Sequence, residues 1–521
     1  MLKTLTAFSF LLLLGCNRAP GVEVDGEILL GKYVEDGTVA AFFGVPFAEP
    51  PTGDLRWRSP QPLKNTVDHR TVVDFAAACM QTMRILDWYR YMAETFGGSR
   101  DYYRDLEISE DCLYLNVWTP TLKHDASLPV MVWVHGGSNR SGWSYEPNYH
   151  GHKLARKGVV VVSVAYRVGA FGFLSHAEIP PEDAVANFGL WDLIASLQWV
   201  QQNIAKFGGD PGRVTMFGES SGAENILALM FAASADGLFH RAILESTAGY
   251  GLRRSPSLAD EQKRGHNLAG IMGFEGDDSI ASLRLVPADK LLQAYEEAFP
   301  DYYHSPAVDG QLLLRPTWEE IQAGSFTDRQ LIIGTNADEW YDFLDADSTR
   351  DDVLSAADKL RYIDSAGALA AVISETDPRR AMDRLITAEN YVCPSQNTAA
   401  KMTAVGRDAW MYYFTRVRED PGGAKVRAFH GAEYAYAFGT HDAYMRTTDV
   451  DLELTESMMG YWTQFAATGN PNAEGLPEWL LFKAPDFPVQ ELGDDIFTIA
   501  APEPMLCDLF ERSIGEPVVA P

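Results

Sequence analysis

The sequence predicts an α/β protein: a large, mostly parallel central sheet flanked by helices, in a single domain with helical insertions. Three observations carry that prediction. Apolar runs of strand length recur along the chain, helical patterns separate them, and no internal repeat, low-complexity tract or Gly/Ser linker divides the whole. The runs are Val130–Val134, Val159–Ala165, Val214–Phe217, Ala242–Leu244, Leu331–Ile333 and Trp410–Phe414. Between the second and third, Leu190, Ile194, Leu197, Val200 and Ile204 follow helical spacing and place one apolar stripe on a sheet. Strands alternating with helices imply parallel βαβ units covered on both faces. From about Ser255 to Ser395 helical excursions over the sheet are expected. Gly44 to Pro62 contains Pro46, Pro50, Pro51, Pro60 and Pro62, and is predicted to run as extended surface chain.

Composition narrows the function. The chain has 521 residues, 46% of them hydrophobic and 22% charged, an ordinary globular profile. Lys+Arg number 43 against 72 Asp+Glu, a net charge of −29. Such a polyanion repels phosphate backbones and anionic headgroups, so nucleic acid is not an expected partner.

At the N-terminus Lys3 precedes the apolar stretch Leu5 to Leu14, too short for a membrane span but suited to a secretory leader. Leu13-Leu14-Gly15-Cys16 resembles the bacterial lipoprotein signal. That resemblance implies a signal peptide over residues 1–15, lipid on Cys16, a tether over 16–20 and a catalytic domain over 21–517. Asn17, rather than Asp, after the lipidated Cys suggests the outer membrane, with the lipid as the only membrane contact. Removing Cys16 from the five cysteines leaves Cys79, Cys112, Cys393 and Cys507 in an oxidising compartment. Four cysteines allow three connectivities, and pairing of sequence neighbours, Cys79 with Cys112 and Cys393 with Cys507, is the expectation.

Chemistry concentrates at Gly218-Glu219-Ser220-Ser221-Gly222, directly after the run Val214–Phe217 and before the helical segment Ala223 to Phe231. Strand, G-x-S-x-G turn and helix in that order form a nucleophile elbow. Glycines without Cβ allow a tight turn, and the helix N-terminus favours an oxyanion beside Ser220. A serine hydroxyl needs a base and an orienting acid, which follow it in chain order in this arrangement. Of eleven histidines, His240, His266, His304, His430 and His441 lie after Ser220. The acid should end a strand, and Gly334-Thr335-Asn336-Ala337-Asp338-Glu339 offers Asp338 and Glu339. With either, His430 and His441 remain as candidate bases.

Longer motifs accompany the elbow: Gly44-Val45-Pro46-Phe47-Ala48-Glu49-Pro50-Pro51, Ser109-Glu110-Asp111-Cys112-Leu113-Tyr114-Leu115-Asn116-Val117, His135-Gly136-Gly137, Asn187-Phe188-Gly189-Leu190-Trp191-Asp192, Phe207-Gly208-Gly209-Asp210-Pro211 and Phe465-Ala466-Ala467-Thr468-Gly469-Asn470-Pro471-Asn472. With these, from about Gly21 to Arg512, the chain resembles type-B carboxylesterases of the cholinesterase-like branch of the α/β-hydrolase fold. The resemblance implies Glu339 as acid and His430 as base. It implies oxyanion donors at Gly137, Ser138 and Ser221, where the family usually has Gly and Ala at the last two. Ser246 matches a serine that hydrogen-bonds near the acid, beside Glu245 where Gln is usual, and Glu219 is family-typical. Both expected disulfides match family pairs. A third is missing, with Phe274 and Ser282 at its positions. Asn139 and Arg140 stand where aromatics are common. Arg140 is expected to pair with an acidic neighbour. No metal-ligand spacing, P-loop or dinucleotide fingerprint is present, so no metal and no cofactor are implied.

The expected function is therefore hydrolysis of a small-molecule ester through an acyl-enzyme. The rivals are a non-catalytic adhesion protein on the same fold, and thioester or amide cleavage by the same triad. Neutral esters are expected over choline esters. Acetylcholine hydrolases carry a Trp ten residues before the Cys matching Cys112, where Tyr102 stands, and an aromatic where Asp342 follows the acid.

Overall fold

Eleven strands form one sheet. They are β1 (Lys32–Val34), β2 (Val39–Pro46), β3 (Tyr114–Thr119), β4 (Leu128–Val134), β5 (Val160–Val164), β6 (Gly209–Glu219), β7 (Arg241–Glu245), β8 (Gln330–Asn336), β9 (Ala409–Phe414), β10 (Val489–Leu492) and β11 (Ile496–Ile499). The structure, a computed structural model, describes residues 19–64, 67–247, 255–300, 302–360 and 362–514. The expected leader over residues 1–15, Cys16 and the last residues of the expected domain, 515–517, lie outside the described residues.

The strand order is β11-β10-β9-β8-β7-β6-β4-β5-β3-β2-β1. From β10 to β5 every neighbour is parallel. At the margins β11, β3, β2 and β1 pair antiparallel. All six predicted strands lie in the parallel part. Their continuous apolar runs follow from burial on both faces. Alternation shows it: Val130, Val132 and Val134 of β4 enter one core, Met131 and Trp133 the other. The first core is covered by α1 (Phe188–Asn203), α2 (Ser221–Leu229) and α3 (Cys393–Ala404), through Leu190, Ile226 and Met402. The second is covered by α4 (Asp449–Thr468), through Leu454, Met458 and Trp462. This is the α/β-hydrolase architecture that the resemblance implied.

One expectation fails. The Pro-rich segment is not surface chain throughout: Gly44–Pro46 closes the buried strand β2. Pro46 is that strand's last residue, where a missing N–H leaves the ladder intact. Further on, Arg56 bonds Glu110 at 2.7 Å and Trp57 Nε1 donates to Ala170 O at 2.8 Å, so both side chains are buried. The helical excursions appear as expected, from Leu258–Ile271 to Pro378–Thr387. Phe274 fills the place of a missing cysteine by packing against the core under those helices.

Disulfides join Cys79 to Cys112 and Cys393 to Cys507, each across a Cα–Cα distance of 5.0 Å. The first closes the segment that carries the helix Arg84–Thr95, and the second ties α3 to the helix Pro504–Ser513. Each such bridge stabilises a fold by roughly 2–4 kcal/mol.

Candidate active site

Strand β6 ends at Glu219, α2 begins at Ser221, and Ser220 between them has φ 55° and ψ −127°. A non-glycine residue there costs on the order of 1–3 kcal/mol and persists only when its surroundings over-determine it. Here Ser220 N donates to Glu245 O at 2.9 Å, and Glu224 N donates to Ser220 O at 3.0 Å. The flanking glycines are sterically required. A Cβ on Gly218 would lie 2.5 Å from Val134 O, and one on Gly222 2.2 Å from the same oxygen. The elbow is therefore wedged against the end of β4.

The chain leaving β4 forms a second tight feature. Gly137, Ser138 and Asn139 have φ of 110°, 61° and 54°, three consecutive residues in the left-handed region. Ser138 thus holds the conformation that its missing glycine would have made easy. Side chains brace the loop instead. Asn139 N donates to Ser221 Oγ at 3.0 Å, and Asn139 and Asn225 exchange amide hydrogen bonds at 3.1 and 2.8 Å. The hydroxyl of Ser221, absent from the usual Ala, is what receives the loop. The N–H groups of Gly137, Ser138 and Ser221 find no acceptor among the described residues. Gly136 packs directly on Ser220, since a Cβ there would lie 3.0 Å from Ser220 Cβ. The arrangement can receive an oxyanion at Ser220.

Beyond β8 the two adjacent acids separate. Asp338 accepts from Arg427 Nε at 2.6 Å and from Ala428 N at 3.2 Å. Glu339 is fully buried, takes Asn336 N on Oε1 at 2.7 Å, and faces His430 Nδ1 with Oε2 at 2.6 Å. The candidate bases separate as well. His441 lies between Arg418 Nη2 at 2.9 Å and Thr455 Oγ1 at 2.7 Å, and burial lowers its pKa to about 4. The structure therefore brings Glu339 and His430 together and leaves Asp338 and His441 elsewhere.

His430 Nε2 sits 2.9 Å from Glu219 Oε1, close but outside hydrogen-bond angles. Ser220 Oγ makes no hydrogen bond among the described residues, so no bond joins it to His430. Burial pulls the His430 pKa down, but the charge of Glu219 and the bond to Glu339 outweigh it and hold the pKa well above the usual value. Glu219, Glu245, Glu339 and Glu433 form a buried nest, the first two and Glu339 all acting on Glu433. Burial, then the neighbouring carboxylates, push Glu433 well above the carboxylate range. Burial pushes Glu245 up to about 8, against the Trp462 Nε1 bond of 2.8 Å. Ser246, expected near the acid, reaches Glu433 Oε1 at 3.5 Å, one carboxylate away from Glu339.

Sequence reasoning missed several neighbours. Tyr391, in a short π-helical turn (Ala388–Val392), lies 5.4 Å from the His430 ring, centroid to centroid. Glu224 and Tyr303 meet one turn into α2. Trp88, not Tyr102, meets the His430 loop, at 6.0 Å from the Phe429 ring, while Tyr102 packs edge-on against Tyr103 and Tyr444. The only signal for Trp88 was its place in the aromatic stretch between Cys79 and Cys112. A cavity beside that loop is lined by Trp88, Phe429 and Tyr434, and also by Arg416, Arg418 and Arg427. It does not include Ser220. Arg140 is paired with Glu296 and with the Pro300 carbonyl, as expected.

The model of the carboxylesterase family matches residues 18–500. The chain belongs to the carboxylesterase family. A relative, the fumonisin B1 esterase of Sphingopyxis macrogoltabida, is 31% identical over 512 residues, covering 92% of this chain and 89% of that protein. Among solved structures, a thermophilic PNB esterase superposes with a TM-score of 0.80 at 29% identity, covering 94% of this chain and 99% of its own. A PNB esterase gives 0.79, also at 29% identity with 94% and 99% covered. The chain is a carboxylesterase that hydrolyses small-molecule esters, and a purely adhesive role is set aside.

Proposed function

We propose that this carboxylesterase works through Ser220, His430 and Glu339, with the N–H groups of Gly137, Ser138 and Ser221 as its oxyanion hole. The observation that carries the reading is the 2.6 Å contact between His430 Nδ1 and Glu339 Oε2, on a loop whose other ring nitrogen faces the elbow. Ser220 Oγ attacks the ester carbonyl, and His430 Nε2 takes the hydroxyl proton. The C–O bond breaks as His430 returns that proton to the leaving alcohol. Water then attacks the acyl-enzyme by the same route in reverse. Glu339 holds the ring with Nε2 forward and stabilises the imidazolium. Because Nε2 rests near Glu219, the ring must release that carboxylate when Ser220 engages it.

The substrates are neutral esters rather than choline esters. Tyr102, in the place of the cation-holding Trp, is engaged edge-on by Tyr103 and Tyr444 instead. Asp342, in the place of an aromatic, is tied up by Tyr91 at 2.9 Å. Esters of the fumonisin type belong in the first panel because a relative carries that activity in its name. The test is kcat/KM for butyrylcholine against a neutral butyrate ester of similar leaving-group pKa, at two salt concentrations. A higher value for the neutral ester is expected, and a choline preference that survived high salt would contradict it.

The enzyme is exported and held at the outer membrane by lipid on Cys16, on the strength of Leu13-Leu14-Gly15-Cys16 after an apolar stretch. Detergent-phase partitioning of the full chain, lost in Cys16→Ser, is the expected outcome. Unchanged partitioning would remove the anchor from the reading.

A further inference from the structure

Asn139, next to the oxyanion donor Ser138, is wholly buried, and every polar atom it carries is engaged. Its N–H donates to Ser221 Oγ at 3.0 Å, and its carbonyl accepts from Gly169 N at 2.6 Å. Its Nδ2 donates to Asn225 Oδ1 at 3.1 Å and to His304 O at 2.8 Å. Its Oδ1 accepts from Asn225 Nδ2 at 2.8 Å and from Tyr166 Oη at 3.3 Å. Ser221 and Asn225 are buried to the same degree, and both act on the Tyr166 phenol. Away from water each of these bonds is costly to leave unmade, so together they fix where Asn139 stands.

The network reaches the oxyanion donors through the peptide planes. Gly137 O accepts from Arg140 N at 3.0 Å and from Ser141 N at 3.2 Å, inside the turn. In a trans peptide the N–H points opposite to the carbonyl, so the Ser138 N–H faces out of the turn. The next peptide ends in Asn139 N, and Ser221 Oγ holds its N–H. Ser138 is the least suited of the three left-handed residues, because Gly137 has no Cβ and asparagine visits that region more readily than serine. It is clamped on both sides, at Gly137 O and at Asn139 N. Ser221 joins the two halves of the hole in one residue. Its N–H opens α2 beside Ser220, and its hydroxyl receives the loop.

We propose that the Ser221 hydroxyl, backed by the Asn139–Asn225 amide pair, is the positioning element of the oxyanion hole, holding the Ser138 N–H of the loop in register with the Ser221 N–H of α2. This rests on the esterase reading of Ser220 and its oxyanion donors. Ser221→Ala removes the acceptor and keeps the backbone N–H. With p-nitrophenyl butyrate it is expected to lower kcat roughly ten- to a hundredfold, with KM within about threefold. The inhibition constant of a trifluoromethyl ketone, which forms a tetrahedral adduct with the nucleophile, should rise by a similar factor. Asn225→Ala should give the same pattern more weakly, and takes the place of Ser221→Ala should that variant not fold. The deciding readout is a cycle with Ser138→Gly. Glycine takes the left-handed turn without a clamp, so Ser221→Ala made in Ser138→Gly should cost at most about threefold in kcat. An equal kcat loss in both backgrounds, or a loss confined to KM, overturns the positioning role alone. So does kcat within about twofold of wild type in both Ser221→Ala and Asn225→Ala. Absence of p-nitrophenyl butyrate hydrolysis in the wild type, or its persistence in Ser220→Ala, overturns the esterase reading and the positioning role with it.

Discussion

The nucleophile elbow and the carboxylate nest beneath His430 lie against each other, yet they are built in opposite ways. The elbow comes from five consecutive residues, and its shape is dictated by clashes that any side chain at Gly218 or Gly222 would have with Val134 O. The nest gathers Glu219, Glu245, Glu339 and Glu433 from the ends of β6, β7 and β8 and from the His430 loop. Backbone sterics set the conformation of Ser220; buried charge, that of Glu219 first, sets the proton affinity of His430. The two meet in Glu219, which stands beside Ser220 in the elbow and also raises the proton affinity of His430.

Breaking the elbow chemically should have the largest effect. Ser220→Ala and His430→Ala are each expected to lower kcat by about 10⁴-fold or more, with thermal unfolding nearly unchanged. His441→Ala, which touches Arg418 and Thr455 instead, should leave kcat within about tenfold. The reverse pattern would move the base. Breaking the elbow sterically comes next. Gly222→Ala drives a Cβ to 2.2 Å from a backbone oxygen and should destabilise the fold by about 1–3 kcal/mol, read by denaturant unfolding. An unchanged midpoint would mean that the wedge against β4 is looser than described.

The nest should answer to pH instead. Glu219 raises the His430 pKa, and a base works only when neutral. Glu219→Gln should therefore move the acid limb of kcat/KM to lower pH, whereas a limb that stayed in place would separate Glu219 from the base. The smallest effect concerns Glu245. Its folded pKa of about 8 lies above the ordinary 4.5, so the unfolded chain ionises first as pH rises. The stability it contributes is complete below about 4.5 and is lost toward about 8. Glu245→Gln escapes that loss, so its Tm should rise relative to wild type across that window. A constant difference would mean that Glu245 is ionised in the fold.

What could be read beforehand follows the same division. The six parallel strands were legible because burial on both faces leaves continuous apolar runs. The short margins β1, β10 and β11 carry no such run, and β2 was hidden because its end overlaps a proline-rich stretch. Ser220 was legible from a local turn with its strand and helix. His430 and Glu339 were narrowed only to pairs by chain order, and resemblance chose between them. Glu433, Tyr391 and Glu224 gave no local pattern, because only tertiary packing turns a scattered acid or tyrosine into part of a site. Ser221 was visible as a departure, but its use as acceptor for Asn139 N required the folded loop.

The most direct measurement of the central claim is active-site labelling with a fluorophosphonate, followed by peptide mapping. The account predicts one modified residue, Ser220, with labelling abolished in Ser220→Ala and strongly slowed in His430→Ala. Modification of another serine, or a labelling rate indifferent to His430, would contradict it.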